Sequence, residues 1–443
     1  MTRSRLEDAS GYQGEADRIL SPGSESEVIE IVRAAAHHGI PITIAGARTG
    51  LTGGSVPQDG GWAVSLEKFR RLEVCRGRAT VGAGVSLDEL QAAASRTGQF
   101  YAPDPTERTA SIGGTIATNA SGSRSFRYGS TRRHILGLRI VFMDGRAVSL
   151  RRGDAVDFDL PNLPLPNTTK NTAGYLLAPG MDWIDLFTGS EGTLGIVMEA
   201  ELQLLPEPDD VIAGIVFLIS DGAALDVVDA WRAIPGLRMI EYFDANSLDL
   251  LRPHYPEIPS RAGAALLIEQ EDGDIDFWAE HAPEDSWFAV SDRDRERFRR
   301  FRHALPELVN DTMRRRGFLK LGSDYAVPLA RNREMLDEYH AALRQQALEY
   351  VIFGHIGDAH VHVNILPKSP AEFEVGQHLM LHFARYAVSL GGTVSAEHGL
   401  GKRKAHLLAL QYTPAQIDSM KEVKRRLDPQ WLLNRGNLFA IPS

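Results

Sequence analysis

The sequence contains a single cysteine, Cys75. One thiol excludes an intrachain disulfide framework, a cysteine-rich zinc site and an iron–sulfur cluster held by four thiolates. A reducing compartment fits this usage, and a cytoplasmic location is the expectation. Long apolar runs are also missing. The opening Met-Thr-Arg-Ser-Arg-Leu-Glu-Asp lacks the apolar core of a signal peptide. The longest notable apolar run, Val211–Ile219, falls far short of the roughly 20 residues that cross a bilayer, so no transmembrane segment is expected. A basic excess is absent too: the formal net charge is −10, which argues against a nucleic-acid partner. What is present suits a globular chain, with 43% hydrophobic and 24% charged residues of mixed sign. At 443 residues, it is long enough for two or three domains.

Strand and helix signals alternate along the first half. Glu25–His38 reads as a helix with Ser24 as its N-cap, Pro41–Ala45 as a strand, Ala79–Val81 as another, and Leu87–Ala94 as a helix. Cys75 follows the strand-like Leu72–Val74 and reads as a packing residue. Leu160–Pro166 is a proline-rich loop, and Pro206-Glu-Pro208 is the best linker. Beyond it, Val211–Ser220 and Ala264–Glu269 read as strands, Gly222–Arg232 and Arg293–Val309 as helices, and Val351–Ile365 as a pair of strands. Leu427–Phe439 reads as a helix end followed by a loop.

Three small-residue segments carry the first chemical signal. Residues 42–57 read I-T-I-A-G-A-R-T-G-L-T-G-G-S-V-P, a strand running into a loop with Gly46, Gly50, Gly53 and Gly54. Such a loop can turn successive N–H groups inward as an anion nest suited to a pyrophosphate. Pro103 precedes the second segment, Ser111-Ile-Gly-Gly-Thr-Ile-Ala-Thr-Asn-Ala-Ser-Gly122, which suits backbone lying against a planar ligand. The third is Thr188-Gly-Ser-Glu-Gly-Thr-Leu-Gly-Ile-Val197. Two common nucleotide motifs fail. After Gly82-Ala-Gly84, the third glycine of a G-x-G-x-x-G would fall on Leu87, and Gly401-Lys402 is followed by Arg403, so there is no P-loop.

The second signal is Phe353-Gly-His355-Ile-Gly-Asp-Ala-His360-Val-His362-Val-Asn364. Polar residues alternate with Val361, Val363 and Ile365 around a Gly357-Asp358 turn. A four-residue loop sets His355 opposite His362; a two-residue turn sets it opposite His360. Either register places two imidazoles side by side, as a divalent metal requires. A third segment, Gly391-Gly-Thr-Val-Ser-Ala-Glu397-His398-Gly399-Leu-Gly401, ends a strand in an adjacent acid and imidazole. Two His and a carboxylate suit a divalent ion with open positions, and an adjacent His can act as a base.

In order, spacing and wording, the three glycine segments resemble the FAD-binding domain of the vanillyl-alcohol-oxidase (PCMH-type) flavoproteins across roughly residues 1–206. The two histidine segments resemble the C-terminal domain of FAD-linked 2-hydroxy-acid dehydrogenases. The resemblance implies an α+β fold: a PCMH-type FAD-binding domain of two subdomains (1–206), a substrate-binding cap with an antiparallel sheet (207–425), and a C-terminal segment returning to the first domain (426–443).

The resemblance also implies site residues. FAD contacts fall on Gly46, Ala47, Arg48, Thr49, Gly50, Gly53, Gly54 and Ser55; on Pro103, Ser111, Gly113, Gly114, Thr118, Asn119, Ser121 and Gly122; and on Glu191, Gly192, Gly195, Ile196, Val197 and Asn434. The first loop lacks the linking His of covalent members, so the FAD is expected to be non-covalent. The implied metal ligands are His355, His362 and Glu397, holding zinc, or alternatively manganese or iron. His398 becomes the general base, and Arg302, Lys320 and Asn364 become substrate contacts. The family usually reads G-D-G-N-x-H where this chain has Gly-Asp-Ala-His-Val-His, so His360 stands in place of an Asn.

The resulting expectation is an oxidoreductase that converts a 2-hydroxy acid, of D configuration, to the 2-oxo acid. His398 would take the hydroxyl proton as hydride passes to flavin N5. Its electron acceptor would be a quinone, an electron-transfer flavoprotein, a cytochrome or an iron–sulfur protein, and a homodimer is possible. Two rivals are a flavin subunit of a larger electron-transfer complex and a metal-dependent hydrolase. The hydrolase leaves the glycine segments unexplained.

Overall fold

The first helix shows why the N-terminal elements form where they do. In the computed structural model, which describes residues 3–441, it spans Glu25–His38. The Ser24 side chain accepts a hydrogen bond from the Glu27 N–H, and Gly39 ends the helix in the left-handed conformation that a residue without Cβ adopts freely. Its buried face of Val28, Val32 and Ala35 packs with Ile42, Val64, Met198 and Leu433.

Two sheets make up the N-terminal half. The first is parallel, in the order Arg18–Leu20, Trp62–Ser65, Ile42–Ala45. The second has five antiparallel strands, in the order Ala147–Arg151, Ile135–Val141, Ile196–Gln203, Arg78–Gly82, Leu72–Cys75. The last of these corrects one expectation. Cys75 is exposed, not packed, because Leu72 and Val74 turn inward and the pleat sends Glu73 and Cys75 outward.

The C-terminal half is built on a seven-stranded antiparallel sheet. Its order is Trp287–Ala289, Val211–Leu218, Ala264–Glu271, Leu237–Asp244, Tyr350–His355, His360–Ile365, Leu321–Gly322. Every residue of Val211–Leu218 is buried. Ile212, Val216 and Leu218 enter one core, while Ala213, Ile215 and Phe217 enter another. A strand covered on both faces explains an apolar run without alternation. The second core is closed by the helix Asp292–Arg316, longer than the sequence pattern suggests. Pro306 lies inside it and removes a backbone donor, but Phe301, Leu305, Val309 and Met313 are buried along its face, and that packing overrides the local penalty. Mixed helix and sheet in both halves is the α+β class.

The chain then returns to its beginning. Ile42 N–H donates to Leu432 O at 2.9 Å and Asn434 N–H to Ile42 O at 2.8 Å. The buried Lys424 ties this segment down, bonding Asp428 Oδ2, Thr193 O and Leu433 O at 2.7–2.9 Å.

Candidate active site

A cleft with a cavity volume of about 300 Å³ runs between the glycine segments. Its walls include Gly46 to Gly50, Gly54 and Ser55 from the first loop, and Ser111, Gly113, Gly114, Thr118, Ser121 and Gly122 from the second segment. Glu191, Gly192, Gly195, Ile196 and Val197 line it from the third, with Asn434 from the C-terminal segment. Gly53, Pro103 and Asn119 do not line it. Gly53 instead lies against Tyr12, and Asn119 ends the helix Ile112–Thr118 and accepts Arg132 N–H at 2.9 Å. Asn437, in the same C-terminal segment as Asn434, lines it too, as do Phe187 and Ala83, which no sequence signal marks.

Small residues are needed here for close approach. A Cβ on Gly46 would stand 2.1 Å from Ser111 Oγ, and one on Gly192 would stand 2.6 Å from Asn434 Nδ2. Asn434 joins two walls, accepting Ile44 N–H at 2.8 Å and donating to Glu191 O at 2.9 Å. Burial raises the Glu191 carboxyl to about 7, against the lowering pull of the Leu400 and Gly401 N–H groups.

Glu397 and His398 line the same cleft. The hairpin resolves the register: His355 pairs with His360 and Phe353 with His362 across a short turn at Ile356–Asp358. His355 Nε2 lies 3.1 Å from Glu397 Oε1, and His362 Nε2 lies 3.4 Å from the same oxygen. One donor atom each from His355, His360, His362 and Glu397 falls within 4.8 Å of the others.

Partners behind the two imidazoles orient them. Glu241 Oε1 lies 2.5 Å from His355 Nδ1, and Ser323 O lies 3.0 Å from His362 Nδ1. These contacts leave the opposite nitrogen of each ring toward Glu397, as in carboxylate–histidine–metal arrangements. Glu397 spends its other oxygen on the N-terminal half: Ser121 Oγ at 2.7 Å, Lys170 Nζ at 3.2 Å and Gly122 N–H at 3.2 Å. Burial works against its charge, but Lys170 and His355 hold its pKa well below the usual carboxylate range.

His398 stacks on His362, with centroids 5.4 Å apart, and turns Nδ1 to Asp324 Oδ1 at 3.3 Å. Asp324 is fully buried, and its Oδ2 takes Ser395 Oγ at 2.7 Å and His398 N–H at 3.0 Å. Loss of solvent lowers the His398 pKa to about 4, against the opposing pull of Asp324, and keeps the imidazole neutral.

The three other sequence candidates fall around this cluster rather than in the cleft. Arg302 bonds Glu241 Oε2 through Nε at 2.8 Å and Thr106 Oγ1 through Nη1 at 2.9 Å. Burial penalises the Glu241 charge, but Arg302 and His355 hold that carboxyl far down. Asn364 is buried with Oδ1 unpartnered, and Lys320 precedes the short strand that pairs Gly322 with Asn364. Lys170, Glu241 and Asp324 escaped the sequence reading, because each lies outside the motif that holds its partner.

Known proteins are similar to this chain along nearly its whole length. A family model described as "FAD binding domain" matches residues 16–151, and one described as "FAD linked oxidases, C-terminal domain" matches residues 208–438. A D-lactate dehydrogenase of Archaeoglobus fulgidus is 30% identical, over 95% of this chain and 90% of its own. A glycolate oxidase subunit GlcD of Bacillus subtilis is 30% identical, over 97% and 90%. A D-2-hydroxyglutarate dehydrogenase of Xanthomonas citri pv. viticola is 31% identical, over 95% and 89%. The solved structure of an alkyldihydroxyacetonephosphate synthase shares the fold, with a TM-score of 0.69 at 17% identity over 96% of this chain and 76% of that one. Among the described residues, no helix is long and apolar enough to cross a membrane. The chain belongs to the FAD-linked oxidases and is an FAD-binding oxidoreductase.

Proposed function

We propose that the chain oxidises a D-2-hydroxy acid to the 2-oxo acid, using non-covalent FAD and a divalent cation. The observation that carries this reading is the shared cleft: Glu397 and His398 line the same cavity as the three glycine segments. The names of the relatives, which act on lactate, glycolate and 2-hydroxyglutarate, support the substrate class.

The residues present fit both groups. Ser55 Oγ is buried in the cleft wall with no hydrogen-bond partner, as a phosphate oxygen would require. His355, His362 and Glu397 converge with their outer partners already set, which suits zinc, manganese or iron. When bound, FAD would supply the hydride acceptor and the cation would polarise the substrate hydroxyl.

The chain's own residues do the rest. Asp324 favours the proton on Nδ1 of His398 and leaves Nε2 as the basic nitrogen for the hydroxyl proton. Its buried negative charge then stabilises the imidazolium that results. Lys320 and the Nη2 of Arg302 are the proposed contacts for the substrate carboxylate, and the free Oδ1 of Asn364 is a proposed acceptor for a substrate hydroxyl. Lys170 and Ser121 hold Glu397 against the FAD half, fixing the distance between the two reacting sites. With one cysteine, the chain carries no iron–sulfur centre of its own, so electrons leave to an external acceptor.

The test is anaerobic flavin bleaching with a panel of D- and L-2-hydroxy acids, before and after chelation. Bleaching by D acids alone, lost on chelation and restored by metal, is the expected result. Bleaching insensitive to chelation would remove the metal, and no bleaching by any 2-hydroxy acid would remove the substrate class.

A further inference from the structure

One imidazole in the cluster has no place in the reading above. His360 is fully buried, and neither ring nitrogen has a partner of hydrogen-bonding geometry. Strand register sets it directly across from His355, and its ring centroid lies 5.4 Å from that of His355 and 4.5 Å from that of His362. A buried imidazole nitrogen without a partner, as Nδ1 is here, is unfavourable unless a bound group pairs with the ring. Asp324 Oδ1 stands 3.2 Å from its Nε2, off the direction of a hydrogen bond but close enough to steady the ring.

Resting on the metal reading, we propose that His360 is a further protein ligand of the cation, giving a set of three imidazoles and one carboxylate. Its donor atom lies within the same 4.8 Å as those of His355, His362 and Glu397. The resembling motif usually carries an Asn at this position, so the assignment goes beyond the ligand set that the resemblance implies. Two consequences follow from the donor set. A third imidazole favours cobalt, nickel, copper or zinc over manganese, magnesium and calcium. Four protein ligands also fill a tetrahedral ion, so a substrate that chelates through its hydroxyl and carboxylate needs an ion of higher coordination number.

The test uses the FAD-loaded protein, stripped of metal and reloaded with zinc or cobalt(II). X-ray absorption of the zinc-loaded wild type counts the imidazoles directly: three are expected, and two would overturn the proposal. His360→Asn and His360→Gln are then compared with wild type by chelator competition and by cobalt(II) visible absorption. The expected result is at least a tenfold loss of affinity with altered cobalt bands. Affinity within twofold and unchanged bands would overturn it. His355→Ala marks the response to loss of a ligand from the proposed set. If the wild type takes up neither metal, the metal reading fails and the ligand assignment with it. If it loads normally and His360 makes no difference, only the assignment of His360 fails. The absorption measurement on wild type stands even if both His360 variants misfold.

Discussion

The glycine segments of the cleft and the histidine cluster beside it are built in opposite ways. The glycine end is made of backbone: short local segments whose missing side chains let walls approach, as where a Cβ on Gly46 would meet Ser111 Oγ at 2.1 Å. The histidine end is made of side chains carried by a hairpin, the 397–398 turn and the strand holding Glu241, with outer partners from the N-terminal half. Substitutions at the glycine end should therefore change cofactor retention and leave the metal alone. Substitutions at the histidine end should do the reverse. A general base that is itself a ligand of neither group should change neither.

That separation can be broken or sharpened by five measurements. The largest effect is expected at His398. His398→Ala should slow anaerobic flavin reduction by about 10²–10⁴-fold while FAD content and metal content stay at wild-type levels. Loss of either group with the rate would show that His398 is structural.

Glu191 tests the glycine end through pH. Its folded pKa of about 7 is raised above the ordinary 4.5, so the native state binds more protons between those values. Wild-type stability from this group is therefore present at pH 4.5 and lost as pH rises to 7. In urea melts, the stability of wild type relative to Glu191→Gln should fall across that window by on the order of 3 kcal/mol. A flat difference would mean that Glu191 is ionised throughout.

At the histidine end, Glu241→Gln removes the carboxylate behind His355, and metal affinity should drop by about 10–100-fold with FAD content unchanged. Equal affinity would leave Glu241 as a partner of Arg302 alone. Gly46→Ala should raise the Kd for FAD by about tenfold, ~1.4 kcal/mol, with metal binding untouched, as read by flavin fluorescence on dilution. Cys75→Ser should change stability by less than about 0.5 kcal/mol, because the thiol faces solvent.

The legibility of the two ends differs for the same reason that their construction does. A backbone nest needs its glycines next to one another, so Gly46, Gly113 and Gly192 each sit in a segment that can be read on its own. The hairpin histidines are readable for a similar reason, since strand alternation puts His360, His362 and Asn364 on one polar face. Outer partners lack that locality. Ser121, Gly122 and Lys170 reach Glu397 across 276, 275 and 227 residues. Cys75 departs from the expectation because a short apolar run does not reveal which side of the pleat faces water. The helix through Pro306 ran past its expected end because buried packing outweighed a local breaker.

The sequence by itself determined the cofactor segments, the pair of α+β halves and the convergence of imidazoles on one hairpin, since each rests on chemistry between near neighbours. Only the tertiary structure decided the register that sets His360 opposite His355. It alone assigned Arg302 to Glu241, and set Lys170 against Glu397 and Asp324 against His398. Those choices depend on which distant strands share a sheet and which loops close over them, and a buried charge takes whichever partner the fold brings within reach.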